Sequence, residues 1–186
     1  AIGLADSGEG GIPSFQVTNS TQSTISATIT VTPSYENNGI ICAGNAETFT
    51  IVVNPSPEME NVDDFVLCNN EISSIIEFTT PNTDGNTTYT WTNDNTSIGL
   101  SSSGNADIPS FTAINLNPIT EVATITVTPT YENNGVVCIG DPQTFSISVL
   151  SEMEISGSTV DALDCNDPNS GNINTVSYTH LTLPTT

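Results

Sequence analysis

Hydrophobic and polar positions alternate strictly from Ala27 to Thr32, with Ala27, Ile29 and Val31 on one face and Thr28, Thr30 and Thr32 on the other. Period-two alternation of β-branched residues predicts a half-buried strand. Asn38-Gly39 is a tight-turn signal, because both residues tolerate positive φ. Phe49, Ile51 and Val53 share a face again, which predicts a second strand antiparallel to the first. Before these elements, Ala1 to Phe15 reads as Gly-rich loop and short strand; after them, Asn54-Pro55-Ser56-Pro57 reads as a short, stiff linker. Val66-Leu67-Cys68 leads into a strand over Ile72 to Thr80, and Pro81 to Asn86 predicts a turn around Asp84-Gly85. Thr88 to Thr92 is a strand in which Tyr89 and Trp91 point the same way. Ile108 to Ala113, Val122 to Thr128 and Thr144 to Val149 bring the count in this part of the chain to about seven, the number a small sandwich uses. No segment sustains a helical period, so the predicted fold class is an all-β sandwich. A lone Trp on a central strand flanked by outward Thr is read as the packing anchor between two sheets. The expected core is Trp91 with Tyr89, Phe111, Ile125, Val127 and Phe145.

The same pattern occurs twice. Residues Ala1 to Val53 recur at Ser97 to Val149 at a constant offset of 96 residues, and 29 of the 53 aligned pairs are identical. Self-similarity at a fixed long period marks an array of modules. The expected organisation is the C-terminal half of one repeat over 1–55, a complete repeat over 56–151 and the start of a third over 152–175. In the last of these Glu152-Met153-Glu154 echoes Glu58-Met59-Glu60, and Cys165 stands where the second copy has Cys68. The chain thus reads as a segment of a longer array. Residues 176–186 match nothing at the corresponding place and read as the translation of a sequencing-library adapter, and His180, the only histidine, falls there.

Charge narrows the functional classes. The 186 residues contain 21 Asp and Glu and no Lys or Arg, a formal charge of −21. Nucleic-acid binding depends on Lys and Arg to displace counterions, so this balance argues against it, and equally against docking on an anionic membrane. No apolar run approaches the length needed to cross a bilayer. A self-repelling surface in a salty medium is expected instead, with stability rising as salt screens it.

The residues Tyr89-Thr-Trp91-Thr-Asn, Ser97-Ile-Gly-Leu, Ile108-Pro-Ser-Phe111, Ala123-Thr-Ile-Thr-Val-Thr-Pro and Cys138-x-Gly resemble the PKD-like repeats found in tandem in large surface proteins of Bacteroidota, especially flavobacteria. The resemblance covers the whole chain except the tail. It implies immunoglobulin-like modules in secreted, cell-surface proteins, often exported by the type IX route and linked to adhesion or gliding. The expected partners are an extracellular surface or polysaccharide and neighbouring repeats in cis. Two other roles stay open: a spacer or carbohydrate-binding accessory on a secreted hydrolase, and a calcium-stiffened rod.

An exported protein would oxidise its cysteines. Four of them allow three connectivities. A bond within the module joins Cys68 to Cys138, whereas staples across the linkers join Cys42 to Cys68 and Cys138 to Cys165. Loop entropy separates these by only about 1 kcal/mol; the intramodule bond is preferred because each module could then fold alone. Zinc is not expected, since no C-x-x-C pair occurs and the one histidine lies in the tail. Catalysis is not expected either, because outside the tail no His or Lys is present to serve as base. Calcium is the more serious cofactor, weakly held, with Asp63, Asp64, Asp84 and Asp161 as candidate hard ligands, although none lies in a D-x-[DN]-x-[DN]-G loop. The sequons at Asn19, Asn86 and Asn95 are taken as chance matches in an Asn-, Ser- and Thr-rich chain.

Overall fold

The computed structural model describes residues 2–152. The third-repeat segment from 153 onward, with Asp161 and Cys165, and the tail 176–186 lie outside the described residues. Within them the chain is nearly all β, with ten strands, one short 3-10 turn and no α-helix. The first repeat supplies β1 (Ile25–Val31), β2 (Ser34–Asn37), β3 (Ile40–Ala43) and β4 (Glu47–Val53). The second supplies β5 (Phe65–Cys68), β6 (Asn86–Asn93), β7 (Ser103–Asn105), β8 (Glu121–Asn133), β9 (Val136–Ile139) and β10 (Gln143–Leu150).

The two copies are built in the same register. β1 pairs antiparallel with β4 from Ile25↔Val53 to Val31↔Glu47, and β8 pairs with β10 from Glu121↔Val149 to Val127↔Gln143, each pair displaced by the 96-residue offset. The hairpins match as well: Ser34↔Ala43 to Asn37↔Ile40 in the first copy becomes Thr130↔Ile139 to Asn133↔Val136 in the second. Each hairpin turns on an Asn-Gly pair with both residues at positive φ, 49° and 78° at Asn38-Gly39 and 52° and 78° at Asn134-Gly135. That geometry matches the right-handed twist of the strands it joins.

The second repeat completes a sheet around this frame. β6 pairs antiparallel with β8 from Asn86↔Glu132 to Asn93↔Ile125, β7 adds to the free edge of β6, and β5 adds parallel to β10. The order is β5-β10-β8-β6-β7, with β9 beside the far half of β8. The opposing layer differs from the expected second sheet. Ile72 to Thr80 and Ile108 to Ala113 run extended but are joined by only two isolated bridges, Ile72↔Thr112 and Ile76↔Ile108. Side chains replace part of the ladder: Asp107 Oδ1 accepts from the Phe78 amide at 2.9 Å, and Ser73 Oγ from the Phe111 amide at 3.0 Å.

Between the layers lie Trp91, Tyr89, Ile125, Val127 and Phe145 with Ile76, Phe78 and Ile108, and Phe111 packs against them partly buried. Trp91 is only 3% exposed, and its partner across the β6–β7 ladder is Gly104. A Cβ there would stand 2.3 Å from the indole Cζ2, so glycine makes room for the ring. The cost is polar: Trp91 Nε1 and Tyr89 Oη are buried without hydrogen-bond partners. Burial pushes the Tyr89 phenol above its ordinary value; the nearby Thr80 hydroxyl pulls it down without reaching hydrogen-bonding geometry, and Asp107 and Glu60 add to the rise.

Candidate functional site: the junction between repeats

The contacts that join the two copies sit where β4 leaves the first repeat. Asn54-Pro55-Ser56-Pro57 is not merely stiff, because Pro55 and Pro57 are buried. Pro57 packs so closely on Gly140 that a Cβ at that glycine would lie 2.4 Å from the Pro57 carbonyl oxygen. Asn82 holds the linker from the other side, its Oδ1 accepting from the Glu58 amide at 2.7 Å and its Nδ2 donating to the Ser56 carbonyl at 2.9 Å.

A chain of neutral hydrogen bonds then crosses the junction. The Thr83 amide donates to the Gln22 carbonyl at 2.8 Å, and Tyr131 Oη donates to the Thr83 carbonyl at 2.8 Å. Asn133 Nδ2 donates to Thr24 Oγ1 at 2.9 Å, Thr24 Oγ1 donates to Asn54 Oδ1 at 3.4 Å, and Asn54 Nδ2 donates to the Asn133 carbonyl at 3.4 Å. Tyr131 is wholly buried, its ring against Gly85, where a Cβ would come within 2.4 Å of Cζ. Amides and hydroxyls do here what salt bridges do elsewhere, as a chain without Lys or Arg requires.

Behind the junction a groove of about 490 Å³ is lined by Val17, Asn19, Val52, Val53 and Asn54 of the first repeat, by the linker, and by Asn133, Asn134, Val136, Cys138 and Ile139 of the second. Asn19 shapes its wall. Its Nδ2 donates to the Ser23 and Val53 carbonyls at 2.9 and 3.0 Å, as Asn115 Nδ2 does to those of Ile119 and Val149, both at 2.8 Å. The sequon nitrogen of Asn19 is therefore a structural brace. That of Asn95 is another, donating to Glu121 at 2.8 Å and to the Val122 carbonyl at 3.0 Å. The pattern Asn-x-x-x-Ser/Ile at the repeat offset was visible in the sequence as an identical Asn pair, but its role was not.

The candidate metal ligands are not brought together: among the described residues no group of three or more His, Cys, Asp or Glu could hold an ion. Asp64 is engaged otherwise, its Oδ1 accepting from the Ser146 amide at 2.7 Å, which holds its carboxyl below the ordinary value of 3.8. Asp84 is exposed in its turn at φ 67°, Asp63 is exposed, and Asp161 lies outside the described residues. Glu121 gathers Asn95 Nδ2, Asn117 Nδ2 and Ser97 Oγ, and these donors hold its carboxyl below 4.5.

The bond expected between Cys68 and Cys138 does not form: both are free thiols, as is Cys42. Cys68 pairs beside Leu150, at the far end of β10, whereas Cys138 lies in β9, before β10 begins. A strand of that length separates its ends by roughly 23 Å, and a disulfide tolerates Cα atoms no more than about 7 Å apart. The Cys42–Cys68 staple is not formed either, since Cys42, in β3 of the first repeat, is a free thiol like Cys68. Cys165 lies outside the described residues.

No family model matches the chain, and no curated protein matches it.

Proposed function

We propose that the chain is a non-catalytic, extracellular module of a large cell-surface repeat protein, a tandem immunoglobulin-like array that acts as stalk and adhesive surface. The observation that carries this reading is the junction. A buried diproline linker and a set of neutral hydrogen bonds fix one repeat on the next, so length accumulates with copy number rather than collapsing into a flexible coil. The outer sheet face supports the adhesive part. Thr88, Thr90 and Thr92 of β6 stand opposite Thr130, Thr128 and Thr126 of β8, and Thr126 and Thr124 stand opposite Thr144 and Ser146 of β10. The result is an uncharged field of hydroxyls that suits weak contacts with a hydroxylated surface such as a polysaccharide. Weak single contacts become useful when several repeats engage together.

The test is retention of beads carrying one, two or four tandem copies on polysaccharide-coated glass under flow. Retention that rises far more than in proportion to copy number supports the reading. Retention proportional to copy number, or hydrolysis of the coating, would refute it.

A further inference from the structure

We propose that the groove behind the junction is the berth of a Cys-bearing β-strand equivalent to β5, belonging to the same repeat as β4, and that this strand's thiol pairs with Cys138 of the next repeat. The cross-link therefore runs between consecutive repeats instead of within one. The inference rests on the reading of the chain as a serial array.

The second repeat displays the berth occupied. β5 lies parallel to β10, with Phe65 opposite Ile147, Val66 opposite Ser148, Leu67 opposite Val149 and Cys68 opposite Leu150. Beyond Cys68 the chain turns on Asn70, at φ 67°, and is tied down twice: the Asn70 amide donates to the Ala113 carbonyl and Asn69 Oδ1 accepts from the Asn115 amide, both at 2.8 Å. Subtracting the repeat offset transfers this receiving surface to Ile51, Val52 and Val53 of β4 and Asn54 just after it, with Val17 and Asn19 as the counterparts of Ala113 and Asn115. Among the described residues the outer edge of β4 carries no strand, because β1 and β4 form a sheet of two. Five of those six residues line the groove, and Cys138 lines it too.

The occupant is thereby specified. It is an extended segment of β5's chemistry, apolar at the positions of Phe65 and Leu67 and ending in Cys, running parallel to β4. In the register of β5 its cysteine arrives beside Asn54, in the groove that holds Cys138. Val17, Val52, Val136 and Ile139, each at least half exposed, give the strand an apolar wall to cover. An unpaired edge next to exposed apolar side chains is a template for strand addition. Each repeat on this scheme carries one thiol at its leading end and one at its trailing end, which is why the two thiols of a single repeat are too far apart to meet.

The chemistry balances by thiol–disulfide exchange with a small-molecule disulfide such as oxidised glutathione. One thiolate attacks the glutathione disulfide and releases one glutathione thiol. The second protein thiolate then attacks the mixed disulfide, forms the Cys–Cys bond and releases the other. Two thiols are oxidised, one disulfide is reduced, and two protons pass to the departing thiolates.

The test uses the whole chain with a synthetic peptide of residues 61–71, Asn-Val-Asp-Asp-Phe-Val-Leu-Cys-Asn-Asn-Glu, in a glutathione redox buffer. The control is a scrambled peptide that keeps the Cys. Because the chain has no Lys or Arg, adducts are mapped by mass spectrometry after cleavage at Asp and Glu. Cys42 and Cys68 are exposed and Cys138 is only partly so, hence accessibility alone puts the peptide on Cys42 and Cys68. Docking in the berth reverses that order, giving about tenfold more adduct on Cys138 than on any other cysteine through raised effective concentration, and the scrambled peptide loses the preference. Adducts led by Cys42 or Cys68, or the same distribution with both peptides, would overturn the proposal. Retention of multi-copy beads needs no oxidant, so a negative result here leaves that assay to judge the adhesive reading separately.

Discussion

The two repeats share 29 of 53 residues and an identical strand register, yet they bury opposite amounts of the same side chains. Tyr131 is 0% exposed and Tyr35 69%; Phe145 is 5% exposed and Phe49 46%; Val127 is 0% exposed and Val31 46%. Ladder and turns are therefore local properties, secured by alternation and by Asn-Gly at positive φ. In the second repeat burial is supplied above all by β6 and the extended layer from Ile72 to Phe78, and among the described residues no equivalent layer covers the first. The proline between the paired segments makes the same point. Pro129 lies inside one unbroken strand, β8, because Tyr89 of β6 stands opposite it, whereas the equivalent Pro33 separates β1 from β2 with no strand opposite.

The largest break in this comparison is removal of the plug. Trp91→Ala should cost the second repeat about 3–5 kcal/mol, as for other buried aromatics cut to alanine. In hydrogen exchange the amides of β8 and β10 should speed up toward the rates of β1 and β4, which keep their own. Unchanged exchange in β8 would mean that this layer is not what distinguishes the copies. Next come the glycines at equivalent positions. Gly104→Ala forces a Cβ against the Trp91 ring and should cost about 1–3 kcal/mol by overpacking. Gly8→Ala meets nothing within 4 Å and should leave thermal melting unchanged.

Tyr131→Phe sharpens the junction. It removes the part-buried bond to the Thr83 carbonyl and leaves the wholly buried ring otherwise in place, a loss of about 1 kcal/mol. Tyr35→Phe, on an exposed ring, should be silent. Urea melts of the two variants side by side check both, and equal effects would show that the junction bond carries nothing.

What could be read in advance follows the same division. Alternation located β1, β4, β6, β8 and β10, and Asn-Gly located both hairpins. Ile72 to Thr80 and Ile108 to Ala113 were expected as strands because apolar side chains alternate there. Their inward residues Ile76, Phe78 and Ile108 are indeed buried. A pattern of faces cannot tell whether neighbouring amides will bond to a partner backbone or, as with Phe78 and Phe111, to Asp107 and Ser73. The parallel placement of β5 and the junction were out of reach. Asn133 and Thr24 are 109 residues apart and neutral, so neither charge nor periodicity marks them as partners. The intramodule disulfide was expected because each module could then fold alone, an argument that carries no information on which end of a strand each cysteine occupies.

Salt affects the repeats as a whole and the junction hardly at all. With 21 Asp and Glu and no Lys or Arg in the 186 residues, raising ionic strength from about 0.01 to 1 M shortens the Debye length from about 30 to 3 Å and should raise the melting temperature. Asn133→Ala should lower it by a similar amount at either ionic strength, because the bonds it removes are uncharged. A melting temperature that is flat or falling with salt would refute self-repulsion as the destabilising force. A salt-dependent Asn133 effect would refute a neutral junction.

The smallest effect separates the repeats by pH. Asp64 accepts from the Ser146 amide in the second repeat, and among the described residues no carboxylate accepts from the aligned Thr50 of the first. The folded-state carboxyl of Asp64 lies below 3.8, chiefly through the bond from the Ser146 backbone and then from its side chain, and that of Glu121 lies below 4.5, through Asn95 first and then Asn117. A depressed folded value means that the folded state binds the proton less readily than the unfolded chain. The stabilisation is thus complete above the ordinary value and is lost as pH falls through the folded one. Asp64→Asn and Glu121→Gln should each be less stable than the parent chain at pH 6. The gap should close as pH falls below 4.5 for Glu121, and below 3.8 for Asp64, when the parent takes up the same proton. Both groups are exposed, so the gap will be small, and the decisive reading is its pH dependence in paired urea melts. A gap that stays constant from pH 6 to pH 3 would mean that the substitutions act through packing and not through the charge that Asn95, Asn117 and the Ser146 amide stabilise.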